Sequence, residues 1–183
     1  MLNEFADKAR KKMDDTMNSL KRDLDSISTG RANPALLDTI RVEVYGALMP
    51  ISQVGSVSVP EATILTIQVW DRENVRAVEK AITNANLGFN PRVDGMTMHI
   101  SIPKLSEERR RDLVKLAKKY GEDKKVAARN VRRDALDDFK KREKEFGKDQ
   151  IHSFNEIVQK ITDEFVKKID DAVLVKEKDL MKV

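Results

Sequence analysis

Apolar residues near the start of the chain recur at steps of three and four: Phe5, Ala9, Met13, Met17, Leu20, Leu24 and Ile27. Side chains three and four apart share one face of an α-helix, so this spacing predicts an amphipathic helix from Leu2 that ends at Thr29-Gly30. The period then drops to two. Ile40, Val42 and Val44 alternate with other residues, as do Leu65, Ile67 and Val69, and then Met96, Met98, Ile100 and Ile102. That alternation predicts half-buried strands. Gly46, Pro50, Gly55 and Pro60 read as turn punctuation, Val75, Val78 and Ile82 mark a short helix, and Asp94-Gly95 reads as a hairpin turn.

The helical period returns after Pro103. Ser106 is placed to cap a helix, and Glu107 and Glu108 put negative charge on its first turn, where the helix dipole favours it. Leu113, Leu116, Tyr120, Ala127, Val131 and Ala135 line one side. An unbroken helix to about Phe146 would be roughly 60 Å long at about 1.5 Å per residue. The stretch from Gly147 to Gln150 interrupts it. Ile151, Phe154, Ile157 or Val158, Ile161, Phe165, Ile169 and Val173 then form a third helical stripe.

A lone amphipathic helix cannot bury its apolar face, so the first helix must pack on the two C-terminal ones. The fold class expected is therefore α+β: a long three-helix bundle from residues 1–30 and 105–183, with a small β-rich (β/α/β) domain, residues 31–104, inserted in it. Two crossings join them, Gly30-Arg31-Ala32-Asn33-Pro34 and Pro103-Lys104-Leu105. Two short crossings make a natural hinge, which places Gly30, Arg31, Asn33, Pro34, Pro103 and Lys104 at the bend, at about 30–34 and 103–106.

Composition narrows the chemistry. The absence of cysteine excludes disulfides, thiolate metal sites and cysteine nucleophiles. Charged residues make up 36% of the chain and aromatics 5%, which suits long solvated helices better than an aromatic-lined pocket. The N-terminus lacks the apolar core of a signal peptide, and no apolar run approaches the roughly 18 residues of a membrane span. A cytoplasmic protein with no membrane partner is expected. The two histidines, His99 and His152, lie far apart without a motif around either, and no phosphate-cradling glycine loop occurs. No catalytic residue, metal site or cofactor is expected, and the many acids read as solvated partners of Lys or Arg at i+3 or i+4.

The net charge of +4 is mild, but its distribution is uneven. Residues 31–104 carry seven basic groups (Arg31, Arg41, Arg72, Arg76, Lys80, Arg92, Lys104) against seven acids (Asp38, Glu43, Glu61, Asp71, Glu73, Glu79, Asp94), so the excess belongs to the helices. At about 100° per residue, Lys118, Lys125, Arg129, Arg132 and Arg133 fall on one stripe, expected opposite Leu116, Tyr120, Ala127 and Val131. A solvated helix face would look similar. In Arg129-Asn130-Val131-Arg132-Arg133, however, every cation is arginine, although lysine is common elsewhere. The guanidinium fork grips phosphate with paired hydrogen bonds. Tyr120, Phe139, Phe146, Phe154 and Phe165 sit at core spacing and do not interleave with the cations, which favours a structured RNA over a stacked single strand.

Five ordered blocks then resemble the ribosome recycling factors: Thr29-Gly30-Arg31-Ala32-Asn33-Pro34 with Leu36-Leu37-Asp38; Val78-Glu79-Lys80-Ala81-Ile82; Leu87-Gly88-Phe89-Asn90-Pro91; Leu105 to Leu113; and Arg129 to Ala135. The resemblance covers nearly the whole chain. It implies an L-shaped molecule similar in size to transfer RNA that binds between the ribosomal subunits after termination. It further implies that the arginine face meets large-subunit ribosomal RNA while the inserted domain meets elongation factor G, whose GTP-driven movement separates the subunits and releases mRNA and deacylated tRNA. On that analogy Arg129, Arg132 and Arg133 anchor the bundle, Arg109 and Arg110 contribute more weakly, and the chain acts as a monomer. Where the family often has a second proline after Pro103, this chain has Lys104, which implies a looser second crossing. The competing reading is a helical coiled-coil adaptor for a protein partner. The two differ in salt response, since phosphate binding weakens linearly on a log-log salt plot.

Overall fold

The computed structural model describes residues 2–182. The terminal residues Met1 and Val183 of the expected bundle lie outside the described residues. In chain order the elements are α1 (Leu2–Asp25), β1 (Arg41–Val44), β2 (Ala47–Pro50), β3 (Gly55–Glu61), β4 (Ile64–Val69), α2 (Val75–Asn84), β5 (Pro91–Asp94), β6 (Thr97–Ser101), α3 (Glu107–Lys140) and α4 (Lys148–Met181). The chain divides into two compact units, Met1–Leu24 with Arg111–Val183, and Asp25–Arg110.

The first unit is helical. Met13, Leu20 and Leu24 of α1, Leu113, Ala117, Ala128 and Phe139 of α3, and Phe154, Val158, Phe165 and Ile169 of α4 are buried. Each helix thus hides one stripe and leaves its charges in water, as helices too weak to stand alone require. At one end four rings close the core. Phe139 stacks on Phe154 at 4.2 Å and on Phe146 at 4.6 Å, and Phe5 meets all three edge-on. Ser106 caps α3, its Oγ accepting the Arg109 N–H at 3.2 Å.

Two helix ends differ from the expected ones. α1 stops at Asp25 instead of Thr29, so Ile27 is buried outside the helix. The hydroxyls of Ser26, Ser28 and Thr29 follow, and such residues compete for backbone hydrogen bonds and weaken a helix. α3 stops at Lys140, not Phe146, so its 34 residues span about 51 Å. Arg142 then grips the Glu145 carboxylate with Nε at 3.0 Å and Nη2 at 2.7 Å. That grip closes a turn which folds Phe146 back onto Phe139.

The second unit holds two sheets. β1 and β2 form a hairpin, and the other strands form an antiparallel sheet in the order β3-β4-β6-β5. Val42, Val44, Leu65, Ile67, Val69, Met98 and Ile100 point into one core with Val75, Val78 and Ile82 of α2. Met96, expected on the buried face, is exposed because it sits with Gly95 in the two-residue turn between Asp94 and Thr97. Three expected turn markers lie inside strands: Pro50 in β2, and Gly55 and Pro60 in β3. Proline is tolerated there because neither strand has a partner on its outer side, and the β3 ladder shifts register between Ser58 and Glu61, around Pro60.

Candidate RNA-binding face

α3 and α4 touch where α3 carries a glycine. A β-carbon built on Gly121 would meet Val173 Cγ2 at 2.6 Å, so only the missing side chain lets the helices touch there. Charged pairs flank this seam at seven-residue steps on α3. Lys118 pairs with Glu177 at 3.3 Å, and Lys125 bridges Asp170 and Glu122. The hydrogen bonds to Asp170 and then Glu122 raise the Lys125 pKa above the usual lysine value. At the next step Arg132 Nη1 donates to Gln159 Oε1 at 2.7 Å, and Gln159 Nε2 donates in turn to Asp163 Oδ1 at 2.8 Å.

The cationic stripe is therefore not opposite the core, as expected, but beside it. The buried face of α3 runs through Ala117, Gly121 and Ala128, so Lys125 and Arg132 sit on its margin and are half-buried. The expected core stripe through Leu116, Tyr120, Ala127 and Val131 is likewise only half-buried. Arg129 and Arg133 are exposed, and neither guanidinium has an ion pair or hydrogen bond among the described residues. Arg129, Arg132 and Arg133 thus share one stretch of α3, with Arg132 fixed and its neighbours open to an anion. Arg109, exposed, and Arg110, half-buried and partnered, occupy the start of α3 and belong to the other compact unit.

The phenylalanine rings of the helical unit are committed to packing. Phe5, Phe139, Phe146 and Phe154 form one cluster, and Phe165 lies beneath Arg10 and Lys168 on the α1–α4 side. A stacking platform for bases does not accompany the arginines. Among the described residues no three His, Asp or Glu side chains are placed to hold a metal ion. His99 faces Thr66 Oγ1 at 3.2 Å, and His152 lies 3.7 Å from Glu156. A groove of about 570 Å³ between α2 and β1–β2 is lined by Ala77, Ala81 and Ala85 with Arg41, Glu43 and Lys80.

The residues expected at the hinge are built into the second unit. Asn33 Oδ1 accepts the Ala35 N–H at 3.0 Å and caps a short 3-10 turn that begins at Pro34. Ala32 N–H donates to Ala62 O at 2.7 Å, and Ile102 N–H to Thr63 O at 2.8 Å, so both crossings are pinned to one turn, the one between β3 and β4. Gly30 has φ +82°, a conformation that costs an L side chain strain, and a β-carbon on it would face Leu105 Cγ at 3.6 Å and Pro103 O at 3.9 Å. Arg31, Pro103 and Lys104 are exposed.

Sequence reasoning passed over Gln159 and Asp163. The signal lay in their i,i+4 spacing on the α4 face that also carries Asp170 and Glu177. It also passed over the hairpin tip, where the Tyr45 hydroxyl donates to Asp71 Oδ2 and accepts from Asn74 Nδ2 at 3.2 Å.

A family model described as ribosome recycling factor matches residues 20–181. The chain belongs to that family. Ribosome-recycling factor from Clostridium tetani is 48% identical over 183 residues, covering 100% of both chains, and that from Rickettsia felis is 49% identical, covering 95% of each. Among solved structures, a solution structure of the ribosome recycling factor matches with a TM-score of 0.78 at 39% identity, covering 100% of this chain and 98% of the other. A second match, at TM-score 0.67, 41% identity and full coverage of both chains, is the Thermus thermophilus ribosome recycling factor, described with Escherichia coli elongation factor G bound to the E. coli post-termination complex. The α+β arrangement of helices and a small sheet unit is that of these relatives. Among the described residues no helix is long and apolar enough to cross a membrane.

Proposed function

We propose that the chain, as a monomer in the cytoplasm, binds the post-termination ribosome between its subunits. With elongation factor G and GTP it separates the subunits and frees mRNA and deacylated tRNA. It is a translation factor and not an enzyme; the energy comes from its partner. Family membership supports this reading, as does the relative described with elongation factor G on a post-termination complex.

The observation that carries the binding mode is the trio on α3. Among the described residues Arg129 and Arg133 have no partner, and they stand beside an Arg132 that is held by Gln159. Unpaired guanidinium groups are free to take phosphate, whereas most cations along the α3–α4 seam are already neutralised. The helical residues, 1–30 with 105–183, serve as the RNA-binding domain, with Arg109 and Arg110 as weaker contacts. Residues 31–104 move as a separate body that meets elongation factor G. Bending takes place at Gly30, Arg31, Pro103 and Lys104, with Asn33 and Pro34 as the inner edge of the bend.

A subunit-splitting assay on post-termination ribosomes with elongation factor G and GTP tests the whole reading. Splitting that depends on added protein is expected. Splitting at the same rate without it would refute the proposal. A coiled-coil adaptor would show neither this dependence nor a salt slope set by arginine count.

A further inference from the structure

The α3–α4 seam repeats a cation at Lys118, Lys125 and Arg132, and α4 answers with acids at Glu177, Asp170 and Asp163. The first two cations touch their acids directly. At the third step a neutral amide intervenes: Gln159 accepts from Arg132 at 2.7 Å and donates to Asp163 at 2.8 Å. The charges on either side orient the amide, because turning it over would point an N–H at a guanidinium and an oxygen at a carboxylate. The carboxylate is kept one side chain away from the arginine. Arg132 is thus held against α4 by a hydrogen bond, yet among the described residues no acid contacts it to cancel its charge.

From this geometry we infer that Gln159 is a positioning residue for RNA binding: it fixes the Arg132 guanidinium without neutralising it, and Asp163 holds Gln159 in the orientation that does so. An acid at 159 would bind Arg132 more tightly and occupy the fork that phosphate requires. An apolar residue there would leave the arginine charged but free to wander, so that ordering it would weaken binding. This inference rests on the RNA-binding reading above and names which feature of α4 keeps one of its arginines competent.

The test is equilibrium binding of the full-length protein to purified large ribosomal subunits over a series of monovalent salt concentrations. Gln159→Glu, Gln159→Met and Arg132→Ala are compared with the parent chain, and thermal melts run in parallel. Gln159→Glu is expected to bind about tenfold more weakly, with a log-log salt slope shallower by about 0.7 to 0.9, and to melt close to the parent, because the new ion pair with Arg132 offsets the repulsion from Asp163. A purely structural role for Gln159 could not weaken binding while leaving the melt intact. Gln159→Met is expected to keep the parent slope and bind about threefold more weakly. If Arg132→Ala lowers affinity and slope but both Gln159 variants bind as the parent does, this inference is overturned and the RNA reading stands. If Arg132→Ala also binds unchanged, the arginine assignment falls, and this inference with it.

Discussion

Gly121 of α3 lies against Val173 of α4 so closely that a methyl group at position 121 would stand 2.6 Å from Val173 Cγ2. Glycine in the middle of a helix costs about 1 kcal/mol against alanine, so its presence among 34 helical residues reflects a spatial demand. Gly121→Ala should gain that helix propensity and lose about 1–3 kcal/mol to overpacking against a β-branched neighbour. A net loss is expected. Val173→Ala should open the space, so the double variant should be more stable than the sum of the single changes by about 1 kcal/mol. Urea melts of the four proteins measure this directly, and simple additivity would show that the helices adjust freely.

Removing one ring from the aromatic cluster should be costly. Phe154 is fully buried and stacked on Phe139 at 4.2 Å. Phe154→Ala is expected to cost about 3–5 kcal/mol, read as a lower urea midpoint. A loss below about 1 kcal/mol would mean the cluster collapses around the gap.

Proton binding should report on the hairpin tip. The Tyr45 hydroxyl and then the Glu73 N–H hold the Asp71 carboxyl below its usual value, while the bond to Asp71 raises the Tyr45 pKa. A carboxyl whose folded value is lowered stabilises the fold above its ordinary range, and that contribution is lost as pH falls through the lowered value. Tyr45→Phe should therefore move the Asp71 titration upward, toward the ordinary range, in carbon-13 carboxyl spectra. Acid unfolding followed by the fluorescence of Trp70, the chain's single tryptophan, should begin at higher pH. An unmoved Asp71 titration would show that the tyrosine contributes nothing.

Replacing Arg129, Arg132 and Arg133 together by alanine should flatten the salt dependence of binding to large ribosomal subunits by roughly two to three slope units. Stability should change by no more than about 0.5 kcal/mol per exposed site. A flatter slope accompanied by a collapsed melt would assign the arginines to folding instead.

The long helices and strands β1, β4 and β6 were legible because each buries one face, and burial imposes its period on the sequence. What was hidden has the same kind of cause. Pro50, Gly55 and Pro60 read as breaks, yet strands bare on their outer side accept them. A single helix wheel sets the cationic stripe opposite the core, because it takes no account of Gly121. That glycine pulls α4 toward the Ala117–Ala128 side, and an isolated glycine in a helical pattern was the available clue. The arginine trio itself was visible as composition. Its difference from the paired lysines Lys118 and Lys125 was not, since that depends on which α4 side chain reaches across.

Ala32 and Ile102 are tied to adjacent residues, Ala62 and Thr63, so the polypeptide enters and leaves the sheet unit through one doorway. A segment whose two ends meet can be excised or transplanted with little loss of loop entropy, because rejoining the flanks asks the chain to span almost no distance. Joining Gly30 directly to Leu105 should leave a helical remnant able to fold alone. The same doorway would let evolution exchange the sheet module while the helices stayed unchanged.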